Sequence, residues 1–230
     1  MGRSRPPGRG DVMLRISASL LAADQTDLRS EVRRAQRAGV DAFHVDVMDG
    51  HYVPNLAMTP HLVSALKAHT SLPFEIHLEV SNPDVLLEAF PGMEADAIIV
   101  QLDTCDHPEA TFQRIRNRNA RVGLALNIHE QLDRAADLLP LVDRLVIMAV
   151  EPGFGGQRLH PATPLRIRAA RELVHRAGLE TEIAVDGGVT PDNAQDLVTS
   201  GANILVIGTA LFEAQDMQTV VKLIRDGAIR

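Results

Sequence analysis

The chain has 230 residues, 45% of them hydrophobic and 23% charged, with a formal net charge of -7. That balance suits a globular fold and lacks the excess of basic residues that phosphate backbones attract, so nucleic acid is not an expected partner. No apolar run approaches the roughly 20 residues of a bilayer span, and the single Cys105 excludes an intramolecular disulfide and fits a reducing compartment, making the cytoplasm the expected location. Residues 1–13 are rich in Arg, Pro and Gly and lack the apolar core of a signal peptide; they are expected to form a disordered tail.

From residue 14 onward, short apolar runs alternate with longer amphipathic segments. The runs at 15–19, 42–47, 74–80, 97–102, 122–127, 144–150, 182–186 and 204–207 read as eight strands, each followed by a helical pattern. A helix over 28–38 has Asp24 and Thr26 as cap candidates, one over 164–177 stops at Gly178, and one over 191–199 stops before Gly201. Strands alternating with helices imply parallel pairing through right-handed crossovers. Eight such units predict an α/β fold over residues 14–230, a single (β/α)8 TIM barrel with its active site at the C-terminal ends of the strands. An open doubly wound sheet would want a glycine-rich loop after the first strand, where the chain has Leu20-Leu21-Ala22-Ala23-Asp24. The glycines cluster after the sixth, seventh and eighth strands instead.

His44 and Asp46 share one face of the second strand, His77 and Glu79 share a face of the third, and Asp186 ends the seventh. Charge buried at such positions demands a compensating metal, partner or proton. Two imidazoles with neighbouring carboxylates suit one divalent metal ion such as Zn, Mn, Fe(II) or Co. A single His-x-acid pair is as readily a satisfied polar pair inside the barrel; two pairs plus Asp186 favour a site. The glycine loops Glu151-Pro152-Gly153-Phe154-Gly155-Gly156-Gln157, Asp186-Gly187-Gly188-Val189 and Ile207-Gly208-Thr209 offer backbone N–H groups to a phosphate, although each glycine alone would serve a tight turn. A metal beside a phosphate cradle, with Asp46 opposed to Asp186, suits proton abstraction next to a carbonyl, one carboxylate removing the proton and the other returning it. Met48, Met58 and Met148 are candidates for an apolar pocket floor, though plain core packing explains a methionine equally well.

The segments Ile16-Ser17-Ala18-Ser19-Leu20, 44–50 followed by Val53-Pro54-Asn55, His77-Leu78, 152–157 and Val185-Asp186-Gly187-Gly188 together closely resemble the ribulose-phosphate 3-epimerase family, in order, from about residue 15 to about 212. The resemblance implies a divalent metal on His44, Asp46, His77 and Asp186. It makes Asp46 and Asp186 the acid and base that invert C3 of a ketose phosphate, by default ribulose 5-phosphate to xylulose 5-phosphate. Ser19 would contact the substrate together with His77, Met48, Glu79 and Met148, and the loops carrying Gly153, Gly155, Gly156, Gly187, Gly188, Gly208 and Thr209 would hold its phosphate. A homo-oligomer, dimer or hexamer, is implied as well.

The chain departs from the family pattern at Glu79, where Met is usual, at Gln101 for a histidine, at Ala149 for a threonine and at Thr59 for a glycine. Glu79 sets a carboxylate two residues beyond a metal ligand, where it would add a ligand, bind an extra substrate hydroxyl or alter the proton transfer. The alternative substrates are therefore other ketose phosphates, such as allulose 6-phosphate or a heptulose phosphate. Two further readings are a noncatalytic phosphosugar-binding barrel and a metal-dependent aldolase or decarboxylase.

Overall fold

The computed structural model describes residues 14–90 and 93–228, so the tail expected over 1–13 lies outside the described residues. Eight parallel strands form the centre: β1 (Arg15–Ser19), β2 (Ala42–Asp49), β3 (Phe74–Glu79), β4 (Ala97–Gln101), β5 (Arg121–Leu126), β6 (Arg144–Met148), β7 (Glu182–Asp186) and β8 (Ile204–Ile207). Each pairs with its sequence neighbours, and β1 pairs with both β2 and β8, which closes the sheet into the expected TIM barrel. A two-residue arm, Leu56–Ala57, folds back antiparallel onto the end of β2.

Helices α1 (Leu28–Ala38), α2 (Pro60–Lys67), α3 (Pro83–Ala89), α4 (Pro108–Arg116), α5 (Thr163–Arg176), α6 (Pro191–Thr199), α7 (Thr209–Phe212) and α8 (Met217–Ala228) surround the barrel. Five of them, α2 to α6, place a proline in the first turn, where its missing N–H has no intrahelical partner to lose. The cap of α1 is Asp27, accepting from the Ser30 N–H, and not Asp24 or Thr26. Asp24 instead closes its own turn by accepting from the Thr26 N–H at 2.8 Å. The helix expected after the fifth strand is a 3₁₀ segment, Leu132–Leu141, with Pro140 inside it, where in an α-helix the proline ring would clash with the carbonyl of Ala136.

The strands are apolar on the face that meets the helices, and this layer carries most of the core, including Ile16, Phe43, Phe74, Ile76, Leu124 and Leu205. Inside the barrel a small second core of Ile99, Ala125, Val146, Met148, Ala184 and Ile204 occupies the β4 to β8 side. The interior of β1 to β3 is polar.

At the opposite end from the candidate site, one device recurs four times. The residue just before each even strand accepts a hydrogen bond from the backbone of the preceding odd strand: Asp41 from Ile16 at 2.7 Å, Asp96 from Phe74 at 2.8 Å, Asp143 from Val122 at 2.7 Å and Asn203 from Ile183 at 2.8 Å. These side chains satisfy N–H groups that the sheet ladder leaves over, and they tie the strands in pairs.

Candidate active site

Strand register converges the chemistry. Ser19 on β1 lies opposite His44 on β2, Asp46 lies opposite His77 on β3, Met48 opposite Glu79, and Met148 on β6 opposite Asp186 on β7. The two-residue period turns alternate side chains inward, so His44, Asp46, His77 and Asp186 meet at the C-terminal end of the barrel. One ligating atom from each lies within 4.8 Å of all the others. His44 Nε2 is 3.2 Å from Asp46 Oδ1 and 3.3 Å from Asp186 Oδ2; His77 Nδ1 is 3.5 Å and 3.4 Å from the same two oxygens. Both rings are fully buried.

The electrostatics follow from that geometry. Burial alone would drive both histidines toward the neutral form, yet the carboxylates of Asp46 and Asp186 win, raising His44 well above its ordinary value and His77 to about 9. Burial opposes the charged form of Asp46 and Asp186 as well, but the two imidazoles beside them hold both carboxyls below the usual range. The cluster thus demands positive charge at one point. The facing nitrogens His44 Nε2 and His77 Nδ1 are only 3.2 Å apart, too close for two N–H hydrogens to lie between them. A single divalent cation on this N2O2 donor set resolves both requirements, and these four residues can hold one.

Deeper residues orient the donors. Ser19 Oγ donates to Asp46 Oδ2 at 3.0 Å. The Nε2 of Gln101 lies 3.2 Å from His77 Nε2, and its Oε1 has no partner among the described residues. An amide presents either end, and with Oε1 toward the ring it accepts the Nε2–H and fixes His77 with Nδ1 aimed at the cluster. Below His44, Glu75 is buried with Oε2 3.9 Å from His44 Nδ1; it accepts from Ser17 Oγ at 2.9 Å and pairs with the buried Arg144 at 2.7 Å. Burial raises the Glu75 carboxyl, but Arg144 and His44 bring it down to about 2, so this acid stays charged beneath the site. Sequence reasoning missed Ser17, Glu75 and Arg144. A signal existed for Glu75, since Glu75, His77 and Glu79 alternate along one strand; Arg144 gave none, because its partner comes from a distant strand.

A cavity of about 640 Å³ opens above the cluster. Ser19, Asp46, Met48, Glu79, Met148 and Asp186 line it, together with Gly153, Gly155, Gly156, Gly187, Gly188, Gly208 and Thr209. The three glycine loops therefore share one cavity with both aspartates. Two of the glycines also have a steric reason. Gly187 and Gly188 adopt φ of 102° and 67°, and a Cβ would stand 2.3 Å from Val150 Cγ2 or 2.4 Å from the Leu159 nitrogen. His44 and His77 are not among the lining residues and sit behind the carboxylates.

Glu79 is the unusual lining group. It is only 2% exposed, and its Oε2 has no hydrogen-bond partner among the described residues. Burial, reinforced by the nearby Asp46 and Asp186 charges and opposed by the imidazoles, pushes its carboxyl up to about 8. One expectation is corrected: Met58 does not floor this cavity but lines a neighbouring shallow groove with Thr59, Leu56 and Phe90, which adjoins the cavity at Met48. Ala149 is fully buried, and its backbone N–H and C=O bond to Asp186 and His160, so it does not face the cavity.

The sequence pattern of the Ribulose-phosphate 3 epimerase family matches residues 15–212. The chain is 39% identical to the ribulose-phosphate 3-epimerase of Methanocaldococcus jannaschii, over 94% of this chain and 92% of the relative. It is 40% identical to the ribulose-phosphate 3-epimerase of Rhodospirillum rubrum, over 94% of each. Among solved structures, a mutant tryptophan synthase α-subunit from Pyrococcus furiosus superposes with a TM-score of 0.68 at 14% identity, covering 95% of this chain and 98% of that one, a likeness of fold alone. No helix among the described residues is long and apolar enough to cross a membrane.

Proposed function

Because the chain belongs to the ribulose-phosphate 3-epimerase family, a family of isomerases acting on phosphorylated sugars, we propose that it inverts C3 of a ketose phosphate, interconverting ribulose 5-phosphate and xylulose 5-phosphate. Asp46 and Asp186 are the proton-transferring pair. The observation that carries this reading is that two carboxylates from different strands, β2 and β7, line one cavity while converging on the same two imidazoles.

Inversion needs a base on one face of C3 and an acid on the other. One aspartate takes the C3 proton, the electron pair moves toward the C2 carbonyl oxygen to give an enediolate, and the second aspartate delivers a proton to the opposite face. Ser19 fixes the Asp46 carboxylate through Oδ2. Met48 and Met148 wall the cavity with apolar surface that keeps water from the carbanion-like carbon. The phosphate sits among the glycine loops, whose backbone N–H groups favour an anion. His44, Asp46, His77 and Asp186 would hold a divalent ion, Zn, Mn, Fe(II) or Co, which when bound would supply positive charge that stabilises the enediolate. The family reading also makes the enzyme a homo-oligomer, a dimer or hexamer, and its single Cys105 fits a reducing compartment such as the cytoplasm.

Carbon-13 NMR on metal-replete protein tests the reaction. Ribulose 5-phosphate should relax to a mixture with xylulose 5-phosphate, chelator-stripped protein should be inert, and added divalent metal should restore turnover. Metal-replete protein that leaves ribulose 5-phosphate unchanged would overturn the proposal.

A further inference from the structure

Glu79 has an unmet hydrogen-bonding requirement. Its side chain ends in the substrate cavity, is 2% exposed, and carries an oxygen with no partner among the described residues. A buried carboxyl left without a partner is costly, so the cavity is complete only when its occupant supplies one. The metal cluster does not absorb it, since the converging ligand set is His44, Asp46, His77 and Asp186 without Glu79. Its register partner across the β2–β3 ladder is Met48, which offers no donor.

The barrel tells which part of the substrate reaches Glu79. Residue 79 stands two positions beyond His77 on the same face of β3, roughly 6–7 Å nearer the mouth. β3 is four strands from β7 in the eight-strand ring, hence on the opposite wall. The glycine loops that would take the phosphate follow β6, β7 and β8. A ketose 5-phosphate with its phosphate there and C3 between Asp46 and Asp186 must direct its other end, the C1 hydroxymethyl group, across the cavity toward β3.

We infer that Glu79 is a specificity residue that hydrogen-bonds the C1 hydroxyl of the ketose phosphate, so that this enzyme requires a 1-hydroxymethyl ketone where a methionine wall would accept a 1-methyl ketone equally well. The inference rests on the epimerase reading above. A polar group built to meet a substrate hydroxyl rejects the analogue that lacks it, because the analogue leaves the buried carboxyl unpartnered. An apolar residue discriminates little.

The test compares xylulose 5-phosphate with 1-deoxyxylulose 5-phosphate on metal-replete wild type, Glu79→Met and Glu79→Gln. Deuterium exchange at C3 gives kcat/KM for each sugar, and inhibition by the deoxy sugar gives its affinity whether or not it turns over. Wild type should favour the hydroxylated sugar by about 10- to 100-fold, the usual range for a hydrogen bond to such a group. Glu79→Met should bring the ratio within about threefold of unity, and Glu79→Gln, which still offers a carbonyl acceptor, should keep part of the preference. Metal content and thermal midpoint, measured alongside, identify any variant that has lost its fold, and the remaining variant then decides. A wild type without preference, or one whose preference survives in both variants, overturns the role of Glu79 alone. A metal-loaded wild type inert on both sugars overturns the epimerase reading and this inference with it.

Discussion

The orientation of His77 depends on Gln101, whose amide is the only side-chain partner of His77 Nε2 among the described residues. Replacing it by leucine frees the ring and leaves a buried N–H unpaired, so Gln101→Leu should weaken metal binding by roughly 10- to 100-fold, measured by competition with a chromogenic chelator. An unchanged affinity would mean that packing alone holds the ring. Asp46 and Asp186 carry the heavier burden: Asp46→Asn and Asp186→Asn should each lower kcat by about 10²- to 10⁴-fold or more, since each loses a proton acceptor. Retention of wild-type kcat in either variant would remove that residue from the chemistry. His44, Asp46, His77 and Asp186 were legible in the sequence because a strand repeats every two residues and charge within an apolar run stands out. Gln101 was noticed there only as a departure from a family pattern. Its contact with His77 joins residues 24 apart and exists only once β3 and β4 have paired.

Among the elements, the strands were the most legible. All eight runs became strands, because a barrel strand buried on both faces must be apolar nearly throughout. The Leu132–Leu141 segment was not legible as 3₁₀, since its apolar spacing resembles that of an α-helix and Pro140 alone speaks against one. The pairwise strand ties were equally hidden, because an aspartate before a strand looks like any turn residue until its neighbour is known. They matter energetically. Asp143→Ala should strand the buried Val122 N–H and cost about 1–3 kcal/mol in denaturant unfolding, whereas no shift of the midpoint would mean that another group has taken over the bond. A larger loss is expected lower in the barrel. Arg144→Leu removes the partner of the buried Glu75 carboxylate and should cost about 3–5 kcal/mol, with a smaller loss if Glu75 is replaced by glutamine in the same chain.

At the scale of the whole molecule, the buried quartet links folding, protons and metal. In the metal-free chain, His77 titrates near 9 when folded and near its ordinary 6.5 when unfolded, so the stability it contributes is full below pH 6.5 and is lost as pH rises through 9. A cation must displace those protons, so its affinity should climb over the same interval. With chelator present the thermal midpoint should therefore fall as pH rises from 6.5 to about 9, while the gain in midpoint on adding metal should widen. A metal-induced gain that is flat with pH would show that no proton is displaced.

The two-carboxylate transfer at C3 is the centre of the account, and proton NMR in deuterium oxide addresses it most directly. Metal-replete protein given ribulose 5-phosphate should form xylulose 5-phosphate with solvent deuterium at C3, and Asp186→Asn, checked to retain its metal, should do neither. Conversion without deuterium at C3, or undiminished exchange in the metal-loaded Asp186→Asn protein, would contradict it.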